Sequence, residues 1–220
     1  EQEVVQRSEH ITATLIQQGA KALVIACNTA TAAAVHHLRQ HYPHLPIVGV
    51  EPALKPASIS SKTRQVGVLA TQRTLASQKF ANMLQNCSHN CHFHLRAATG
   101  LALAIELGEQ SQIKNLLSEH LKALGEFGHG PGQIDTLVLG CTHYPLLTGV
   151  ISYVMGNNVS LVSSAEETAK DLYRTLVENS LLRAPSSTPA THRFLATGDS
   201  AAFEVLARRF LGPEVGSVQH

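Results

Sequence analysis

The sequence predicts an α/β fold in which mainly parallel sheets are flanked by helices. Short apolar runs, typical of strands buried on both faces of a parallel sheet, alternate with longer segments of helical periodicity. Residues 23–29 and 137–143 share one pattern, in which a run of aliphatic residues is followed by a small residue, a cysteine and two polar residues. This internal echo favours two pseudo-symmetric domains that share a cleft.

The first fifty residues predict two helix–strand pairs. Apolar residues at helical spacing define the first helix, which Gly19 ends, and Pro43 ends the second, alanine-rich helix. The predicted elements are a helix over 2–18, a strand over 22–26, a helix over 28–42 and a strand over 47–50. Residues 51–56, which contain two prolines, predict a turn-rich crossing between domains.

The rest of the chain continues the alternation. Thr71 is the predicted N-cap of one of its helices, and residues 126–132 predict a glycine-rich loop. The predicted strands cover 65–70, 91–96, 136–140, 159–163 and 191–197, and the predicted helices cover 71–86, 111–124, 146–155, 165–180 and 200–211. In a parallel α/β sheet, ligands bind beyond the carboxyl ends of the strands, where Cys27 and Cys141 lie.

Composition excludes several classes of function. The 220 residues carry a formal net charge of +1, which gives no overall field for nucleic acid or membrane binding. No apolar stretch reaches the length of a membrane span, and the first residues do not resemble an export signal. Four cysteines, two of them beside polar residues at predicted strand ends, suit reduced thiols in a cytoplasmic enzyme.

Two thiols facing one pocket predict acid–base chemistry on a carbon atom. Inverting a stereocentre needs a base on one face and an acid on the other, and the enantiomers have equal free energy, so no redox cofactor is required. A free thiol has a pKa of about 8.5, which a helix N-terminus or a cation lowers toward neutrality. Cys27 and Cys141 each precede a predicted helix, so the sequence predicts a cofactor-free racemase.

The residues next to the two cysteines predict the rest of the site. Asn28, Thr29 and Thr142, with nearby backbone N–H groups, are expected to hold the substrate carboxylates, because helix N-termini bind anions. His143 is expected to tune or protonate Cys141, and Glu106 to orient a histidine or the substrate ammonium group.

The segments Ala26-Cys27-Asn28-Thr29-Ala30 and Gly140-Cys141-Thr142-His143-Tyr144-Pro145-Leu146 resemble the two signatures of the glutamate racemase family. The resemblance implies cofactor-independent interconversion of L- and D-glutamate, which supplies D-glutamate for peptidoglycan. It implies that Cys27 and Cys141 are the paired proton donor and acceptor, with His143 assisting Cys141 and Glu106 as a further catalytic carboxylate. It also implies substrate contacts from Asn28, Thr29, Thr142 and His143, and a homodimer as one possible assembly.

The family resemblance further implies a domain division. One α/β domain would comprise residues 1–50 plus 164–220, the other residues 51–163, with the active site between them. Family members begin with a strand and an Asp-Ser-Gly-x-Gly-Gly loop that precede the first segment of this sequence. The first domain is therefore expected to lack its amino-terminal βα unit, and this chain alone is expected to have little or no activity.

Three alternatives compete with the glutamate racemase interpretation. The first is a racemase of aspartate or a related acid. The second is a catalytically dead, truncated racemase that acts as an interaction module. The third is a thiol redox protein, which predicts a disulfide between Cys27 and Cys141.

Other cysteines and histidines predict no metal site. The segment Cys87–His94 has permissive zinc-ligand spacing, but His92 and His94 are predicted on the strand face opposite Cys91. Four further histidines are interpreted as a solvated helix face and its end: His36, His37, His41 and His44.

Overall fold

A computed structural model of the protein describes residues 1–156 and 159–219. Contacts group the chain into two compact units, Glu1–Leu181 and Leu182–His220. The predicted division into 1–50 plus 164–220 and 51–163 remains a prediction, and residues 157, 158 and 220 within it lie outside the described residues.

Helices and strands alternate through the first unit, which confirms the predicted α/β class with parallel sheets flanked by helices. Its strands are β1 (Leu23–Ile25), β2 (Ile47–Gly49), β3 (Gln65–Ala70), β4 (His92–Ala97), β5 (Thr136–Gly140) and β6 (Ser160–Ser163). Its α-helices are α1 (Gln2–Gln17), α2 (Asn28–His41), α3 (Leu54–Ser60), α4 (Gln72–Leu75), α5 (Gln78–Cys87), α6 (Leu101–Leu107), α7 (Gln110–Leu124), α8 (Thr148–Met155) and α9 (Ala165–Glu178).

The larger sheet has the strand order β4-β3-β5-β6, and all its pairs are parallel. The chain passes from β3 to β4 on one side and then returns to place β5 on the other side of β3. Strand order therefore reverses between β3 and β5, and in open α/β sheets such a reversal opens a crevice at the carboxyl ends of the two strands. Every residue of β5 is buried, as expected of a central parallel strand.

The carboxyl ends of β3 and β5 approach each other closely at Gly140. Ala70 is its register partner, and a Cβ atom on Gly140 would lie 2.9 Å from the Ala70 Cβ and 3.1 Å from the Leu69 carbonyl oxygen. At the other end of β5, the buried Asp135 accepts hydrogen bonds from the Ser61 hydroxyl (2.6 Å) and the Lys62 backbone N–H (2.7 Å). The hydrogen bonds of Asp135 fix the start of β5, and the close approach at Gly140 fixes its carboxyl end.

The smaller sheet consists of the parallel pair β1 and β2, with α2 packed against it. Thr31 donates its hydroxyl hydrogen to the Ile25 carbonyl (3.1 Å), and its Cγ2 would lie 2.6 Å from a Cβ on Gly49. A side chain at residue 49 would thus push α2 away. Ala34, Val35 and Leu38 bury the same helix face. These contacts fix the N-terminus of α2, where Cys27 lies.

In the first unit, three predicted segments differ from the structure. Residues 51–56 do not remain a turn, because α3 begins at Leu54, and Pro56 lies in its first turn, where a missing N–H costs no hydrogen bond. The helix predicted from Thr71 to residue 86 is broken, because the Ser77 hydroxyl accepts from the Phe80 N–H and starts a new helix, α5. The helix predicted over 146–155 begins with a 3-10 turn at Tyr144–Leu147 and becomes α-helical only at Thr148.

The second unit contains β7 (Phe194–Leu195), α10 (Ser200–Leu211) and β8 (Val218–Gln219). The strand predicted over 191–197 is shorter than expected, because only Phe194 and Leu195 pair with β8. Asp199 caps α10 by accepting from two backbone N–H groups. Over residues 1–156 and 159–219, no helix has the length and hydropathy that a bilayer span requires.

Candidate active site

Cys141 directly follows the central strand β5, at the point where the strand order reverses. Its side chain is a free thiol, and the residue is only 8% exposed. A buried thiolate is costly to form unless neighbouring groups stabilise its charge. The groups that contact Cys141 therefore decide its chemistry.

His143 and Glu106 form a chain of contacts that ends at Cys141. The Cys141 Sγ lies 3.8 Å from His143 Nδ1, and His143 Nε2 lies 2.8 Å from Glu106 Oε1. Since a carboxylate accepts hydrogen bonds, Nε2 carries a hydrogen and donates it to Glu106. The other nitrogen, Nδ1, is then free to accept a proton from the Cys141 thiol or, when protonated, to donate toward the thiolate.

Several groups set the protonation of Cys141. Burial raises the pKa of the Cys141 thiol, and the negative charges of Cys27 and Glu106 raise it further. Backbone N–H groups of His143 and Thr142 oppose this rise by stabilising the thiolate. The net pKa is raised, so Cys141 favours the protonated thiol. The effect of Cys27 on Cys141 also indicates that the two sulfur atoms lie within electrostatic range of each other.

Cys27 occupies the N-cap position of α2 and is an exposed free thiol. It follows β1 just as Cys141 follows β5. The next polar residues tie this helix end to the larger sheet: the Thr29 hydroxyl lies 3.0 Å from the Thr71 hydroxyl, which lies 2.9 Å from that of Thr74. The strand end after β1 is thereby linked to the strand end after β3.

Asn28 is buried, and both polar atoms of its side chain lack a hydrogen-bond partner among the described residues. A cavity of about 10 Å³, roughly the size needed for one water molecule, lies beside it. A buried amide without a partner costs free energy and suggests a partner from outside the chain.

The backbone N–H of Tyr144 donates to the Cys141 carbonyl (3.1 Å). The side chain is fully buried, and its hydroxyl donates to the Ala98 carbonyl (3.4 Å). Burial and the negative charge of Cys141 raise the pKa of Tyr144, so its phenol remains protonated. Its position fixes the backbone immediately after the Cys141–His143 segment.

The structure brings the predicted residues together in two groups. Cys141, Thr142, His143 and Glu106 surround the end of β5, whereas Cys27, Asn28 and Thr29 form the start of α2. Sequence reasoning missed the positioning hydroxyls of Thr71 and Thr74, because Thr71 was recognised only as an N-cap. A larger cavity of about 990 Å³ is lined mainly by residues of β2, α3, α5 and α9. Neither Cys27 nor Cys141 lines it.

The arrangement can perform proton transfer at a carbon acid. It contains two thiols of different environment within electrostatic range, a histidine that can exchange a proton with one of them, and an unpartnered amide beside the other. Such a set can remove a proton from a carbon atom with one thiolate and return a proton to that carbon from the other thiol.

Comparison with known proteins identifies relatives over nearly the whole chain. Residues 2–172 match the family described as Asp/Glu/Hydantoin racemase. The chain is 45% identical over 229 residues to a glutamate racemase of Beutenbergia cavernae, a match that covers 98% of this chain and 76% of that protein.

Solved structures give the same result. A glutamate racemase from Bacillus anthracis superposes with a TM-score of 0.82 at 35% identity, covering 99% of this chain and 79% of that one. A glutamate racemase from Francisella tularensis, solved in complex with D-glutamate, superposes with a TM-score of 0.78 at 27% identity, covering 98% and 79%.

Proposed function

This chain belongs to the Asp/Glu/hydantoin racemases and, within them, to the glutamate racemase family, and we propose that it interconverts L- and D-glutamate with Cys27 and Cys141 as the two acid–base groups. The observation that carries the proposal is the pair of free thiols, one at the N-cap of α2 after β1 and one directly after β5 in contact with His143. The nearby Cys27 also contributes to the raised pKa of Cys141, as expected of two groups that exchange one proton.

The proton balance of the reaction is simple. One thiolate removes the Cα proton from one face of glutamate, which leaves the electron pair delocalised into the α-carboxylate. The opposite thiol donates its proton to the other face and becomes a thiolate. Each turnover therefore exchanges the roles of Cys27 and Cys141, which matches an overall reaction without a free-energy change.

His143 and Glu106 support this exchange at Cys141. When Cys141 acts as base, its buried thiolate needs a counter-charge, and His143 supplies one if it takes the thiol proton at Nδ1 while donating Nε2–H to Glu106. When Cys141 acts as acid, the raised pKa keeps its proton in place until the carbanion forms. His143 thus allows one buried sulfur to serve in both directions.

Asn28, Thr29 and Thr142 are proposed as the residues that contact the substrate. The Asn28 amide, buried and unpartnered among the described residues, can accept an ammonium hydrogen and donate to a carboxylate. Backbone N–H groups at the start of the fourteen-residue helix α2 favour an anion there, which suits the α-carboxylate as it gains charge.

The biological setting follows from the family. We place the enzyme in the cytoplasm, where it supplies D-glutamate for peptidoglycan, with free glutamate as its partner and no additional cofactor. A homodimer remains a prediction, and analytical ultracentrifugation measures it directly.

The proposal is tested by following optical rotation with each pure enantiomer. In a protein extended by the family's amino-terminal Asp-Ser-Gly segment, L-glutamate and D-glutamate are both expected to approach an equal mixture, at rates far above those with L- or D-aspartate. Faster turnover of aspartate would overturn the substrate assignment.

The 220-residue chain without that added segment is assayed in parallel. A higher rate in the extended protein is the expected result. Equal rates would show that the expected dependence on that segment is wrong, while leaving the racemase function intact. Inactivity of both proteins would instead favour a non-catalytic role.

A further inference from the structure

Two histidines on α2 and one carboxylate on α1 form a compact cluster away from the thiols. His37 and His41 are one helical turn apart and therefore lie on the same face of α2. Glu9 reaches them from α1, which packs against α2. Ten residues separate Cys27 from His37, which is about 15 Å along the helix axis, so the cluster is distinct from the candidate active site.

The spacing of the three donor side chains fits a shared metal ion. The three ligand atoms lie within 4.8 Å of one another. His37 Nε2 is 3.4 Å from Glu9 Oε2, and His41 Nε2 is 3.5 Å from Glu9 Oε1. Zinc–ligand bonds of about 2.0–2.1 Å in a tetrahedron place neighbouring donor atoms about 3.3 Å apart, which is close to the distance from each imidazole nitrogen to its own oxygen of Glu9.

The Glu9 carboxylate already connects the two imidazoles without a metal ion. His37 Nε2 forms a long hydrogen bond of 3.4 Å with Glu9 Oε2, and His41 Nε2 lies 3.5 Å from Glu9 Oε1. Both distances exceed the usual N–H···O length of about 2.9–3.0 Å, so these contacts are weak and leave the nitrogen atoms available to a metal ion.

The surroundings of the cluster suit an accessible cation. The side chains of His37, His41 and Glu9 are 44%, 55% and 35% exposed, so an ion can enter and a water molecule can complete its coordination. The two imidazole rings are almost parallel, with centroids 5.9 Å apart, and Tyr42 packs edge-on against His41 at 4.9 Å. Tyr42 thereby restricts the orientation of one ligand ring.

We propose that Glu9, His37 and His41 form a zinc-binding site that joins α1 to α2. Two imidazoles and a carboxylate prefer zinc or a neighbouring transition ion over Mg²⁺ or Ca²⁺, which select oxygen ligands. The proposal adds a metal-binding role to two histidines that the sequence interpretation placed on a solvated helix face, His37 and His41. The proposal is independent of racemase activity.

Zinc binding to the full chain is measured by isothermal titration calorimetry and thermal unfolding, with ZnCl₂ and MgCl₂ in separate titrations. One equivalent of Zn²⁺ is expected to bind and, at about 100 times its Kd, to raise the Tm by about 5–10 °C. Mg²⁺ is expected to change neither measurement. A Mg²⁺ response equal to that of Zn²⁺ would overturn the assignment.

Variants separate this cluster from the thiols. His41→Gln and Glu9→Gln each remove a direct zinc ligand. Loss of a residue that only holds a ligand in place weakens metal binding by roughly 10–100-fold, so each of these variants is expected to weaken zinc binding by more than that. The exposed neighbour His36 provides the matched control, since His36→Gln should keep full affinity. Each variant must first show the metal-free Tm and circular dichroism of the parent protein.

A Cys27→Ser/Cys141→Ser double variant addresses adventitious binding by the thiols. It should still bind one equivalent of zinc. Loss of binding in this variant, loss in His36→Gln, or full affinity in both His41→Gln and Glu9→Gln would refute the site. Retention in the thiol and His36 variants together with loss in the cluster variants would establish it.

Discussion

The two thiols occupy equivalent places in the fold but opposite environments. Cys27 follows β1, is exposed and occupies the N-cap position of the fourteen-residue helix α2, whereas Cys141 follows β5, is buried and contacts a histidine–glutamate chain. The residue types around them echo each other in sequence, yet only the second thiol has a titratable ring within contact distance of its sulfur among the described residues.

The difference shows how each environment can support the same proposed task. Solvent can stabilise a charge on an exposed sulfur, so Cys27 needs little further help. Burial raises the pKa of Cys141, and the fold offsets this with backbone N–H groups and with His143 held by Glu106. The thiols are thus alike in proposed chemistry and unlike in the support that each requires.

The largest predicted effect tests whether both thiols are needed. Cys27→Ser and Cys141→Ser are each expected to lower kcat by about 10²–10⁴-fold, because a hydroxyl is a far weaker base than a thiolate. Since the enantiomers are equal in free energy, each variant must lower kcat/KM equally in both directions. Cys87→Ser, on α5, is the matched control and should retain the parent rate. A parent-like rate in either thiol variant would contradict a two-thiol mechanism.

A smaller effect tests the special support given to Cys141. His143→Asn is expected to lower kcat by about 10²-fold with little change in KM, because it removes the proton acceptor 3.8 Å from the sulfur. Glu106→Gln should lower kcat only about tenfold, corresponding to ~1.4 kcal/mol, since the amide oxygen can still accept from Nε2.

Glu109, exposed and three residues further along, provides the control for the carboxylate. Glu109→Gln should not change kcat. Equal losses in Glu106→Gln and Glu109→Gln would point to a general charge effect, and no loss in His143→Asn would remove the functional distinction between the two thiols.

Much of the fold could be predicted from local sequence. Strands β3 and β5 begin and end where their apolar runs do, because a strand buried on both faces leaves a clear hydrophobic signature. Helix α3 and the break between α4 and α5 were missed for a different reason. Helix α3 contains a proline in its first turn, and α5 begins where the Ser77 side chain caps a new helix. The hydrophobic pattern alone does not show either feature.

The site was predictable in composition but not in contact. The pairing of Cys141 with His143 follows from a two-residue spacing. Glu106 was predicted to orient a histidine or the substrate ammonium group, but the sequence did not decide between them, because Glu106 and His143 are 37 positions apart and meet only through the packing of α6. The same holds for Thr29 with Thr71 and for Glu9 with His37 and His41. Side chains brought together by packing of separate elements leave no mark in a single sequence.

The smallest predicted effect compares the thiols directly, without turnover. Iodoacetamide is expected to modify Cys27 faster than Cys141 by on the order of tenfold, because Cys27 is exposed while burial shields Cys141 and raises its pKa. Peptide mass spectrometry over time measures both rates in one sample. Because only the thiolate reacts, the rate at Cys141 should rise with pH through a midpoint above the roughly 8.5 of a free thiol.

Removing one thiol should then change the other. In Cys27→Ser the negative charge that helps to raise the pKa of Cys141 is gone, so the midpoint for Cys141 should move to lower pH. Cys87, whose pKa is raised mainly by burial, is an internal control whose midpoint should stay constant. An unchanged Cys141 midpoint would mean that the charge of Cys27 does not act on Cys141, which would contradict the proposed coupling of the two thiols.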